Sequence, residues 1–312
     1  MLAPVCLFTY NRIEELAQTI DALKSNYLAK ESALFVFSDG PKKNEDIIKV
    51  ASVRKLIREI SGFKEINIIE SDQNKGLANS IITGVSKVFE RYKKVIVLED
   101  DLVTSPNFLS FMNQALDFYE PEQKIQSING YSLMYFNVPH DAYFQTRTGS
   151  WGWGTWSNRW DEEIFNKEKI KGLIKNDPLI LQLFDNKCGK DMAKMLMGSL
   201  SEKNDSWYVR WAFDHFRKNT YAVFPKYSFV KNIGYGNDAT HTKGISNFTP
   251  LDIDPSQTYF KLGLFQIPDT KLSDMFLFHF TWRHKILLRL KLLLNKRGRK
   301  LLLKKLKTSF DL

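Results

Sequence analysis

The chain has 312 residues, 43% of them hydrophobic and 26% charged, with a formal net charge of +10. These values describe a soluble globular protein of one large or two modest domains with material for a real core. Two cysteines, Cys6 and Cys188, exclude a disulfide-stapled secreted module and point to a reducing compartment.

The charge is concentrated. Residues 283–307 carry eleven Lys or Arg and no Asp or Glu, so the rest of the chain is near neutral. The N-terminus "MLAPVCLFTYNR" has no basic n-region, and its apolar run is too short for a signal peptide. No stretch reaches the roughly 18 uninterrupted apolar residues of a spanning helix. Residues 275–294 come closest, but His279, Arg283, His284, Lys285, Arg289 and Lys291 interrupt them. A cytoplasmic protein is expected.

In chain order, "PVCLFTY" reads as a first strand, and Ile13, Leu16, Ile20 and Leu23 follow at helical spacing. "ALFVFSDG" is a second strand with a glycine turn, and Ile47, Val50, Ile57 and Ile60 predict a helix over 45–60. "INIIES" is a third strand, "GLANSIITGVSKVFERY" a helix and "KVIVLED" a fourth strand. Pro106 is expected in the first turn of the helix "NFLSFMNQALDFY", and "KIQSING" reads as a fifth strand. Strands alternating with helices imply a layered α/β fold with a mostly parallel sheet. Ligands of such sheets bind beyond the carboxyl ends of the strands. Asn11, Arg12, Asp39, Asp72 and the triplet Glu99, Asp100 and Asp101 are expected there.

The triplet raises a chemical question. Adjacent carboxylates repel, and a shared site pushes a pKa up unless positive charge arrives. A divalent cation with oxygen ligands resolves it; a solvated acidic turn is the plainer alternative.

"VIVLEDDLVTSPNFLSF" resembles the Glu-Asp-Asp segment of GT-A glycosyltransferases, especially the inverting N-acetylglucosaminyltransferase I type. "LFTYNR", "VFSDG", "SINGYS" and "GSWGWGTWSNRW" extend the resemblance over roughly residues 3–240, and bacterial family-2-like sugar transferases have this general shape. The resemblance implies one GT-A unit over 1–250, with a nucleotide-sugar half at about 1–130 and an acceptor half at about 131–250. Residues 251–312 would then form a C-terminal extension. It also implies Mn²⁺ or Mg²⁺ on Asp101, the ribose near Asp100 and the donor sugar near Glu99. Asn11, Arg12 and Asp39 would contact the nucleotide. Lys75 and Gly76 would bring a loop and helix start towards phosphate.

Inverting transfer needs a general base. The family's acid-acid-Trp pattern stands here as "NDSWYVRW", with Ser206 at the usual position, so Asp205 is the candidate base and Asp214 the reserve. A competing reading has Asp205 capping the helix that carries Trp207 and Trp211. His241 in "NDATHT" stands where such enzymes place a metal or diphosphate ligand. The tryptophans of 148–160 would line the acceptor side or fill the core.

The implied activity is metal-dependent transfer of a hexosyl or N-acetylhexosaminyl group from a nucleotide-diphospho-sugar, UDP-linked, to a glycan or lipid-linked hydroxyl with inversion. The leucine-rich basic tail suits an anionic membrane surface at the inner face of the cell membrane more than nucleic acid, with a helix docked on the body as the alternative. A sugar nucleotidyltransferase is the competing enzyme, but "LFTYNRIEE" lacks the glycine of its N-terminal loop. A non-catalytic carbohydrate- or membrane-binding module would leave the acids without a task.

Overall fold

The computed structural model describes residues 1–133, 136–234 and 254–284, together with 286, 287 and 290. His241 and most of the basic tail lie outside the described residues.

The first half alternates as the periodicity predicts. Strands β1 (Val5–Thr9), β2 (Ala33–Ser38), β3 (Glu65–Glu70) and β4 (Lys94–Glu99) are separated by helices α1 (Ile13–Lys24), α2 (Asp46–Arg58) and α3 (Leu77–Phe89). Then come β5 (Leu102–Thr104), α4 (Phe108–Phe118), β6 (Ile125–Asn129), β7 (Ala142–Gln145) and β8 (Trp153–Trp156). Helices α5 (Lys167–Asn176), α6 (Ile180–Cys188), α7 (Met192–Leu200) and α8 (Trp207–Lys218) precede β9 (Tyr221–Pro225), β10 (Val230–Asn232) and α9 (Thr270–Phe278).

Eight strands form one sheet in the order β3-β2-β1-β4-β8-β6-β9-β7. β1 pairs parallel with β2 and β4, and β2 with β3, whereas β8 runs antiparallel between β4 and β6. Alternation along β1 explains the layers. Val5 and Leu7 face α1, α2 and α4 on one side, while Cys6 and Phe8 face α3 and α8 on the other. This is an α/β fold with a large, mostly parallel central sheet.

Two expectations shift. The buried stripe of α2 is Val50, Val53 and Ile57, and Ile47 is exposed because the helix is turned from the expected register. Pro106 precedes α4 rather than opening it, and its carbonyl accepts the Tyr27 N–H. Residues 254–260 pack against the body. Phe260 is buried in the main core, and Asn107 Nδ2 donates to the carbonyls of Asp254 and Gln257.

β8 was the least legible strand. A Cβ at Gly154 would lie 2.8 Å from the Val95 carbonyl oxygen, so glycine lets this strand sit between its neighbours beneath α4. Among the described residues no helix is long and apolar enough to cross a membrane.

Candidate active site

The carboxyl ends of β1, β2 and β4 and the amino ends of α3 and α8 open onto one cavity of about 880 Å³. One wall carries Tyr10, Asn11, Arg12, Asp39 and the acidic triplet. The lining also includes Trp151, Lys167, Met195, Glu202, Asp205 and Trp207.

β4 ends at Glu99, so Asp100 and Asp101 occupy the turn before β5. β5 is fixed by antiparallel pairing to β10, Leu102 opposite Asn232 and Thr104 opposite Val230. That long-range pair also brings Gly234 against the Asp101 carboxylate, where a Cβ would overlap Oδ2. Arg12 Nη1 lies 2.9 Å from Asp101 Oδ2, and the Tyr10 N–H donates to Asp100 Oδ2 at 3.2 Å.

Burial first, then the charges of Asp101 and Asp100, push Glu99 up to about 8. Burial and the Asp101 charge push Asp100 up to about 7. Burial also raises Asp101, with Arg12 opposing. Arg12 is the cation that contacts this turn among the described residues.

Among the described residues no three His, Cys, Asp or Glu side chains converge as a ready metal cage. The donor chemistry nevertheless fits. Mg²⁺, and similarly Mn²⁺, takes one or two carboxylates, with substrate phosphate and water filling the other positions.

Asn11 does not face the cavity freely, because its Nδ2 donates to Asp46 Oδ1 at 3.0 Å. Asp46 also accepts the Tyr10 hydroxyl at 2.8 Å, a bond that holds its carboxyl below the usual range. Sequence reasoning missed Asp46; an acid at the start of the predicted helix over 45–60 was the available signal.

Asp39 is also occupied. Its Oδ1 accepts from the N–H groups of Gly40 and Lys75, and its Oδ2 from Gly76 N–H and Asn74 Nδ2, at 2.8–3.1 Å. The carboxylate therefore pins the 74–76 turn. Lys75 contributes its N–H to that turn while its side chain is exposed.

Gly76 adopts φ +77°, and a Cβ there would come within 2.9 Å of Asp205 Oδ2. Asp205 Oδ2 accepts the Ala78 N–H at 3.2 Å. The helix start that the sequence offers to phosphate thus holds a carboxylate of the chain itself. The expected cap on α8 is made by Ser206, which accepts from Val209 N–H, and not by Asp205. Asp214 lies away from the cavity. It accepts from Gln126 Nε2 at 2.8 Å and pairs with Lys218 at 2.7 Å, because this face of α8 packs on β6.

The tryptophans divide between the two expected roles. Trp153, Trp160, Trp207 and Trp211 are buried and interlocked, with Trp153 and Trp211 centroids 4.3 Å apart. Trp151 is half-buried and lines the cavity, braced edge-on by Tyr131 at 4.6 Å. Gly152, at φ +63°, permits the turn that separates it from the buried group.

A large, mostly parallel central α/β sheet is consistent with the GT-A fold. Residues 5–185, more than half of the chain, match Glycosyl transferase family 2, and the chain belongs to that family. No curated protein matches the chain.

Similar solved structures include the mannosyltransferase PcManGT from Pyrobaculum calidifontis in complex with GDP-Man and Mn²⁺. It is 6% identical, with TM-score 0.33, over 51% of this chain and 46% of that one. S. aureus TarS is 14% identical, with TM-score 0.32, over 45% and 24%. A UDP-glucose pyrophosphorylase complexed with UDP-glucose is 12% identical, with TM-score 0.35, over 74% and 92%. The chain spans less than half the length of the first two.

Proposed function

We propose that the protein transfers a hexosyl or N-acetylhexosaminyl group from a UDP-linked sugar to a hydroxyl of a glycan or lipid-linked acceptor, with inversion. It acts from the cytoplasm at the inner face of the cell membrane, with an anionic surface as partner of the basic tail. One observation carries the transfer reading. The acidic turn with Arg12 and the carboxylate of Asp205 line one and the same cavity.

Arg12 binds the diphosphate, a role suited to a fixed guanidinium fork. Asp100 and Glu99 orient the ribose and the donor sugar. Asp205 accepts the acceptor hydroxyl proton as that oxygen bonds to the anomeric carbon and the bond to the diphosphate oxygen breaks. Trp151 offers an apolar face to the acceptor ring. Asp101 would hold Mn²⁺ or Mg²⁺, with Asp100 beside it, and the ion supplies neutralisation of charge on the leaving diphosphate.

The test is UDP release from a panel of UDP-sugars with and without Mn²⁺. Metal-dependent UDP release supports transfer chemistry. Formation of UTP from a UDP-sugar and pyrophosphate, with no UDP release, would assign the protein to nucleotidyl transfer instead.

A further inference from the structure

Helix α9 is anchored to the body along one face. Phe276 is buried against Phe224, ring centroids 5.1 Å apart, with Tyr143 and Phe136 in the same cluster. Just beyond the helix, Phe280 lies under the Arg147 guanidinium at 3.5 Å. Arg147 is buried and held by both Asp191 oxygens, which fixes its guanidinium over the Phe280 ring.

The other side carries Met275 and Phe278, 44% and 37% exposed. It continues with Trp282, Ile286 and Leu290 at 67%, 43% and 52%. Positions 282, 286 and 290 are four residues apart, the spacing of one helix face. A large exposed apolar patch beside an anchored one marks an interaction surface.

Charge selects the occupant. The sequence from 283 to 307 holds eleven cationic residues and no acid. A second copy would bring a like-charged run, and nucleic acid would leave Trp282, Ile286 and Leu290 in water. An anionic lipid surface meets both features, because headgroups take the cations and the acyl boundary takes the apolar side chains.

We propose that Met275, Phe278, Trp282, Ile286 and Leu290 form a lipid-docking face in which Trp282, Ile286 and Leu290 insert between anionic headgroups. Attraction of the tail to charge alone would need none of the three. With α9 fixed by Phe276 and Phe280, docking holds the catalytic body in one orientation on the surface.

Co-sedimentation of the full chain with phosphatidylcholine vesicles, with and without phosphatidylglycerol, tests this without any activity assay, so it stands apart from the sugar-transfer reading. The wild type is expected to bind the anionic vesicles and to stay partly bound in high salt. The triple variant Trp282→Ala, Ile286→Ala, Leu290→Ala keeps every charge. It should lose about tenfold or more in partitioning, and salt should remove the remainder.

Circular dichroism guards against misfolding, and quenching by brominated lipid gives a second reading. Wild-type tryptophan emission should be quenched and that of Trp282→Phe should not. Equal binding by the triple variant, equal binding to neutral vesicles, quenching that persists in Trp282→Phe, or a wild-type dimer dissolved by the triple variant would each overturn the proposal.

Discussion

Arg12 Nη1 stands 2.9 Å from Asp101 Oδ2, joining the loop after β1 to the turn after β4. This contact sets a cation beside three crowded carboxyls. Arg12→Leu should destabilise the metal-free protein by about 2 kcal/mol. That is less than the about 3–5 for a fully buried pair, since both side chains keep some exposure and the acids can protonate. Mn²⁺ should restore part of the loss. Urea denaturation with and without Mn²⁺ measures it, and an unchanged midpoint would remove Arg12 from the electrostatics of the turn.

Gly234 abuts the Asp101 carboxylate. Gly234→Ala should displace Asp101 and abolish metal-dependent UDP release while leaving the circular dichroism spectrum unchanged. Retained turnover would mean that the position of Asp101 does not matter.

Asp205 and its neighbour Ser206 separate chemistry from capping. Asp205→Asn should lower turnover about 10²–10⁴-fold with donor affinity nearly unchanged. Ser206→Ala should cost about 1 kcal/mol of stability through the lost cap of α8, with turnover nearly intact. Steady-state kinetics beside thermal melts decides. A loss below about fivefold in Asp205→Asn would leave that residue only its bond to the Ala78 N–H.

His215 is fully buried, and neither ring nitrogen has a hydrogen-bond partner. Burial, aided by the Lys218 charge, pushes it down to about 3. The unfolded chain, near 6.5, takes up the proton first. Stability is therefore present above pH ~6.5 and falls towards pH ~3 by about 1.4 kcal/mol per unit. His215→Phe should flatten the acid side of the stability curve between pH ~6.5 and ~4.5. Parallel urea-derived curves for the two proteins would contradict this.

Much of the parallel half was legible because β1 to β4 and α1 to α4 are continuous runs with local periodicity. β8 was not, since its four residues, Trp153 to Trp156, sit in a Trp- and Gly-rich run that looks like a ligand platform until Gly154 is placed beside the Val95 carbonyl. β5 and β10 are three residues each and pair residues far apart in the chain, Leu102 with Asn232 and Thr104 with Val230, which no local pattern encodes. The candidate acids were named from the apolar strand before the triplet and, through the family resemblance, from Trp207 two residues after Asp205. Their partners could not. Asp39 is filled by N–H groups some 35 residues away, and Asp205 meets Ala78 across 127 residues. The composition of the basic tail was plain, whereas the exposure of Trp282 depends on how Phe276 and Phe280 seat the chain.

The central claim is that the acidic turn binds a nucleotide-diphospho-sugar with a divalent cation. Isothermal titration of UDP and UDP-sugars into wild type and Asp101→Asn, each with and without Mn²⁺, tests it most directly. Wild type should bind with Mn²⁺ and bind far more weakly without it. Asp101→Asn, folded as judged by its melt, should lose the Mn²⁺-dependent part. Equal affinity in the two proteins, or binding indifferent to Mn²⁺, would contradict the account.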